Sequence, residues 1–194
     1  MREFFSVFIA LSIALTLGIT SAYFVSREFL GFGSIQYGQW TAWPNAGTSN
    51  SDPYSKAHAA RTGKFAMGSA EGLVFIATHD DQDTLLKGNC NYQFAGKIPA
   101  ARYWTLRITD GQFVRSGPTQ TAEYAVSSTS VLRDKDGKIS INISKNIAAG
   151  NWLQNGGDGN RLLIMTLYDT SIATVTGAAT ITMPQIKNVG CSND

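Results

Sequence analysis

Between Glu3 and Arg27 the chain carries no charged side chain, and Phe4–Val25 reads FFSVFIALSIALTLGITSAYFV. As a helix rising about 1.5 Å per residue, that run reaches about 33 Å, enough for the ~30 Å hydrocarbon core of a bilayer. A buried core helix rarely continues so far without a polar face. A cleaved signal peptide is the other reading, with Thr20-Ser21-Ala22 as small residues where a peptidase cuts. The run exceeds the ~7–15 residues of a usual signal core, and Tyr23, Phe24 and Val25 carry it past that point. Residues 4–25 are therefore read as a membrane anchor, with cleavage after Ala22 as the alternative. Arg2/Glu3 and Arg27/Glu28 nearly balance across the span, so charge specifies its orientation only weakly.

The rest of the 194 residues contains no second apolar stretch of spanning length, repeat, heptad pattern or low-complexity run. Residues 1–26 are assigned to the anchor or signal segment, 27–37 to a tether with Gly31 and Gly33, and 38–194 to one domain. Lys and Arg number 16 against 14 Asp and Glu, a net charge of +2, and no basic run interleaves with the aromatics. That balance argues against a nucleic-acid partner. A hydrophobic share of 43% excludes a disordered chain.

One helix is predicted over 52–63, with Asp52 as its N-cap, Pro53 at the first helical position and Gly63 at its end. Tyr54, Ala57, His58 and Arg61 fall at helical spacing on one face, and Tyr54 and Ala57 are expected to pack on the domain. Beyond it the pattern turns to strand: LVFIAT (73–78), CNYQF (90–94), YWTLRIT (103–109), KISINIS (138–144), LLIMTLY (162–168) and two pieces of 173–183 around Gly177. Trp104, Leu106 and Ile108 share one side of their run, as do Ile139, Ile141 and Ile143. LLIMTLY is almost continuously apolar, as a central strand can be. Asp110-Gly111, Asp136-Gly137 and the Asn155–Gly159 run are turn signals. Many short strands with Gly-rich turns predict a mainly β, antiparallel, jelly-roll-like sandwich with one short helix, preceded by an N-terminal transmembrane helix.

The string GQWTAW (38–43), DPYSKAHAARTG (52–63), EGLVFIATHD (71–80), AARYWTLRITDGQ (100–112), ISINIS, NWL (151–153) and RLLIMTLYD (161–169) resembles the bacterial family "domain of unknown function 1214". The resemblance spans roughly residues 38–190 and implies a jelly-roll β-sandwich; it implies no activity. Members often carry a separate β-rich domain ahead of this one, where this chain has its apolar segment. The family pattern has Pro after NWL, where Gln154 stands, and Arg in the strand where Met165-Thr166 stands.

His79-Asp80-Asp81-Gln82-Asp83 is the densest polar cluster. Carboxylates beside an imidazole can bind a divalent ion or act as an acid–base pair. The EF-hand spacing and the paired-His zinc spacings are missing, so the cluster is read as a solvated hairpin turn, and neither metal nor cofactor is expected. His58 lacks a local carboxylate or nucleophile partner, and no GxSxG elbow occurs. His58, His79 and Asp80 remain the candidates for a hydrolase-type alternative. Trp40, Trp43, Tyr103, Trp104 and Trp152 form an aromatic set suited to a sugar or acyl chain. Trp104 and Trp152 are read chiefly as core, leaving Trp40 and Trp43 as ligand-binding candidates. The glycines of 156–159 lack the helix-leading context of a phosphate loop and are read as a turn.

Only two cysteines exist, Cys90 and Cys191, so an intramolecular disulfide has one possible connectivity. Export would place both in an oxidising compartment. The functional expectation is a single-pass bacterial inner-membrane protein whose periplasmic sandwich binds a glycan, lipid or protein. The alternative is a hydrolase using a His/Asp pair. Oligomeric state is left open.

Overall fold

The computed structural model describes residues 2–28, 33–62, 67–110, 125–173 and 181–192. Helix α1 covers Arg2–Glu28. Its Phe4–Tyr23 segment is long and apolar enough to cross a membrane, and none of it is buried against the rest of the chain. Apolar side chains such as Phe4, Leu11 and Leu17 stand in the open.

The remainder is mostly β. Strands β1 (Ile35–Tyr37), β2 (Trp40–Ala42), β3 (Gly72–Ala77), β5 (Tyr103–Asp110), β6 (Ala125–Ser127) and β9 (Arg161–Tyr168) form a six-stranded antiparallel sheet in the order β1-β2-β3-β9-β5-β6. Strands β4 (Cys90–Gly96), β7 (Ile139–Ser144), β8 (Asn151–Gln154) and β10 (Gln185–Cys191) form a second sheet, ordered β10-β4-β7-β8. Its β10-β4 and β4-β7 pairs are antiparallel, whereas β7 and β8 run parallel. One hydrophobic cluster joins the sheets: Phe75, Leu106 and Met165 from the first, Phe94, Ile141 and Ile186 from the second. The Trp40 ring meets the Phe94 ring edge-on across this interior, with centroids 6.1 Å apart. Trp104, Leu106 and Ile108 are buried as their alternation predicts, and so are the three isoleucines of β7. The predicted mainly β, two-sheet architecture is present; a six-plus-four division with a parallel pair does not by itself establish jelly-roll connectivity.

Several short elements escape the sequence reading. Ile35–Tyr37, assigned to the tether, forms β1, and NWL, absent from the predicted strands, opens strand β8. Of the 173–183 run, residues 174–180 lie outside the described residues, and a 3-10 turn, Ser171–Ala173, precedes them. Gly111, the second half of one predicted turn, also lies outside them.

Helix α2 runs Pro53–Thr62. Asp52 caps it as predicted: its Oδ1 accepts the Ser55 N–H at 3.1 Å, and the Ser55 hydroxyl donates to Oδ2 at 2.6 Å. The predicted packing fails at Ala57. Ala57 is exposed while Ser55 is buried, with Ala59 one turn on partly buried. Gly63 and the side chains of Tyr54, His58 and Arg61 lie outside the described residues.

Candidate functional site

The acidic loop after β3 is a structural clasp. Asp80 is 1% exposed, and its Oδ1 accepts the N–H groups of Gln82 (2.9 Å) and Thr84 (3.0 Å). The Asp80 backbone N–H donates to the Thr84 carbonyl, closing the hairpin that the turn reading predicts. That carboxylate is interior and not solvated, because a tight turn needs an acceptor for two inward N–H groups. Its Oδ2 is buried without a hydrogen-bond partner. Asp81 reaches across the molecule: its N–H donates to the Ile186 carbonyl, and its Oδ2 accepts the Ile186 N–H at 3.0 Å. Asp83 takes a left-handed φ of 59°. His79 pairs its Nδ1 with the Thr78 hydroxyl at 2.8 Å. The described residues bring no third His, Cys, Asp or Glu close enough to this loop to form a metal-binding group.

Beside this clasp lies a polar knot at the start of β4. The Tyr92 hydroxyl accepts the Lys87 N–H at 2.8 Å, and Asn155 Nδ2 donates to the carbonyls of Lys87 and Cys90. Burial pushes the Tyr92 hydroxyl above its ordinary pKa; the Lys87 bond pulls it down, and the Asp80 charge adds to the rise. The Gly156–Gly159 turn folds over Gly88, where any Cβ would collide with the Gly157 carbonyl. Gly157 and Gly159 take φ of 83° and 91°, and the Arg161 guanidinium donates to the Gly156 carbonyl. These glycines serve a turn.

Cys90 and Cys191 face each other in the β4–β10 register and are disulfide-bonded across a sequence separation of 101. Ser192 adds a backbone bond to the Asn89 carbonyl. The C-terminal strand is thus held at one end by Asp81 and at the other by a covalent link.

The aromatic candidates separate. Trp40 is 1% exposed, with its indole N–H bonded to the Pro184 carbonyl at 2.8 Å, and its ring is engaged with Phe94. Trp43 is partly buried, and its Nε1 is buried without a partner. Trp104 lies in the core. Tyr103 stacks beside Tyr168 at the end of the large sheet, centroids 5.7 Å apart, both 37% exposed. Trp152 is not core: Leu153 takes the inward position of β8, which leaves Trp152 half-buried on the outer face, its Nε1 donating to the Ser144 carbonyl and hydroxyl.

That outer face holds a concavity lined by several polar groups. The β7–β8 connection, residues 145–150, is short for a parallel pair, which ordinarily needs a dozen residues or more. Gly150 at φ 81° turns it back, and Asn142 Nδ2 holds it by donating to the Ala149 carbonyl. Opposite, Asn151 clamps the 132 segment, accepting the Leu132 N–H at 2.6 Å and donating to the Leu132 carbonyl at 2.8 Å. Between the two walls runs a groove of about 490 Å³ floored by Ala95, Ser140 and Asn142, with Arg133, Asp134 and Lys138 at one side. A second hollow of about 570 Å³, at Ala70, Ala100, Asp169 and Thr170, offers mostly small side chains, and its Thr170 hydroxyl is spent on the Ala100 carbonyl. Sequence reasoning missed the first groove, because its floor is assembled from register across strands distant in the chain.

Comparison with known proteins agrees with this architecture. No curated protein matches the chain. The VPA0106 protein of Vibrio parahaemolyticus, a solved structure, superposes with a TM-score of 0.58 at 17% identity, covering 92% of this chain and 44% of that one. A putative uncharacterized protein from Burkholderia cenocepacia gives a TM-score of 0.45 at 20% identity, covering 64% of this chain and 31% of its own. The chain thus spans less than half the length of either solved protein. The Vibrio likeness concerns the fold alone. The model of a family described as "Protein of unknown function (DUF1214)" matches residues 71–172, from the start of β3 through β9. That match takes in more than half of the chain, and the protein belongs to the DUF1214 family.

Proposed function

We propose that this chain is a membrane-tethered binding module of the bacterial cell envelope. Residues 4–25 hold it in the inner membrane as a single-pass anchor, residues 27–37 lead out, and residues 38–194 form a periplasmic β-sandwich that binds a ligand without transforming it. One observation carries the reading: an apolar helix with no buried residue over Phe4–Tyr23 and a Cys90–Cys191 disulfide occur on the same chain. Exported chains keep such bridges, whereas cytosolic reductants oppose them. Binding is favoured over hydrolysis by the engagement of the His79–Asp80 pair. The Asp80 Oδ1 already accepts two N–H groups of the hairpin, the Asp80 carboxylate is interior, and the His79 Nδ1 is paired with the neighbouring Thr78 hydroxyl. A general base must reach the proton it abstracts. The outer groove of the small sheet, by contrast, presents free surface to a ligand.

Alkaline extraction of bacterial membranes, followed by N-terminal sequencing, tests the tether. The full-length chain should stay with the membrane pellet, and protease added to spheroplasts should digest its sandwich. Release of an intact chain, or of a species beginning at Tyr23, would overturn the anchor.

A further inference from the structure

We infer that the outer face of the four-stranded sheet is a binding surface for a neutral glycan chain; this rests on, and specifies, the binding-module reading above. The strand register sets out the face. Lys187 pairs with Gln93, Gln93 with Asn142 and Asn142 with Trp152, giving one row across all four strands. Gln185, Ala95 and Ser140 form the next row. Inward partners on the same strands, such as Phe94, Ile141 and Ile186, are buried, so these rows point out. Neighbouring rows are linked, since Gln93 Nε2 donates to the Ser140 hydroxyl at 3.4 Å. The groove of about 490 Å³ runs over Ala95, Ser140 and Asn142 and so continues this surface.

The chemistry of the rows selects the occupant. Amides and hydroxyls each offer both donors and acceptors, which is what the hydroxyl edge of a sugar ring requires. A half-buried indole at the end of a row gives the C–H face of such a ring something apolar to lie against. A row of contacts across four strands spaced about 4.8 Å apart suits an extended polymer over a compact ligand. Other occupants fit less well. Charge is sparse and mixed, with Lys187 alone in the two rows and Arg133 and Lys138 beside Asp134 along the groove, so a polyanion meets a carboxylate as well as cations. A stable protein interface has an apolar or aromatic centre, and here the centre is Gln93, Ser140 and Asn142. An acyl chain would leave those amides without partners.

Isothermal calorimetry tests this on the full-length chain in phospholipid nanodiscs, which avoids sugar-based detergents. The probes are a panel of neutral oligosaccharides of differing linkage, with an anionic polygalacturonate fragment beside them. At least one neutral oligosaccharide should bind saturably. Gln93→Ala combined with Ser140→Ala should weaken it about tenfold, two lost hydrogen bonds' worth. Arg107→Ala, on the other sheet, should leave binding unchanged, and a thermal melt of the double variant should match the parent. No binding across the neutral panel, tighter binding of the anionic fragment, or neutral binding indifferent to the double variant would each overturn the inference. Fractionation separates this failure from that of the parent reading. A membrane-held chain that binds no saccharide overturns the glycan assignment alone. A chain released whole at alkaline pH overturns the tether and leaves the calorimetric result standing.

Discussion

The two sheets share one core and treat their outer faces differently. In the six-stranded sheet the central strand β9 is buried on both sides: Leu163, Met165 and Leu167 look into the core, yet Leu162, Ile164 and Thr166 on the opposite side are also at most 9% exposed. In the four-stranded sheet the central strands β4 and β7 alternate, with Gln93 and Ser140 exposed between buried neighbours. Centrality in a sheet therefore does not decide burial. What differs is the outward side chains: branched ones (Leu162, Ile164, Thr166) on β9, amides and hydroxyls on β4 and β7. The difference divides the labour: the large sheet contributes packing, and the small sheet contributes an open polar surface. The small sheet is the one whose edge is locked covalently.

If that division holds, breaking the lock has the largest effect. Replacing Cys90 and Cys191 together by Ser should cost about 2–5 kcal/mol, since a closed loop of about 100 residues is worth on the order of 4–5 kcal/mol in the chain-entropy account. Denaturant unfolding with and without reductant measures it, and an unchanged midpoint would mean that the Asp81 clasp alone holds β10. Next comes Ile164→Ala, on the outward side of β9, for which a buried branched residue predicts a loss of about 2–4 kcal/mol. A loss below about 0.5 kcal/mol would show that outward side to be as open as the small sheet's.

The third test is pH. Tyr92, on the inward face of the small sheet and 2% exposed, has its hydroxyl pKa raised first by burial. Raising the native pKa above the unfolded value favours the protonated phenol in the fold. Its contribution is then whole below about pH 10 and declines as pH climbs toward the native value. One proton limits the decline to at most about 1.4 kcal/mol per pH unit. Chemical denaturation as pH rises above about 10 should show that decline in the parent, and Tyr92→Phe should remove it while lowering stability at neutral pH by stranding the Lys87 N–H. The smallest effect belongs to Gln93→Ala, predicted to lie within about 0.5 kcal/mol of the parent, because an exposed amide on a solvated face supports little packing. A large loss there would erase the contrast between the two faces.

Much of this contrast can be read in the sequence. ISINIS alternates with period two and turns out to be the strand with one wet face, while RLLIMTLY runs continuously apolar and turns out to be buried on both sides. The Asp52 cap and the cysteine pairing follow from local chemistry and from arithmetic. Strands β1, β2 and β6 span only three residues each, too few for any period to show, and β8 only four. The packed side of α2 was misjudged at Ala57 because a short helix of small residues has almost no amphipathic signal of its own. The burial of Asp80 depends on N–H groups two and four residues ahead, whose direction only the folded turn sets. Likewise the amide rows exist only once Lys187, Gln93, Asn142 and Trp152 are in register, positions that no sequence window contains together.

The central claim is that the sandwich is exported on its apolar helix and folds with its C-terminal strand locked. Thiol counting on the full-length chain, acid-quenched directly from bacterial cells and denatured before labelling, tests it most directly. The account predicts no reactive thiol before reduction and two after it. Two reactive thiols before reduction would contradict the disulfide and remove the main support for a periplasmic sandwich.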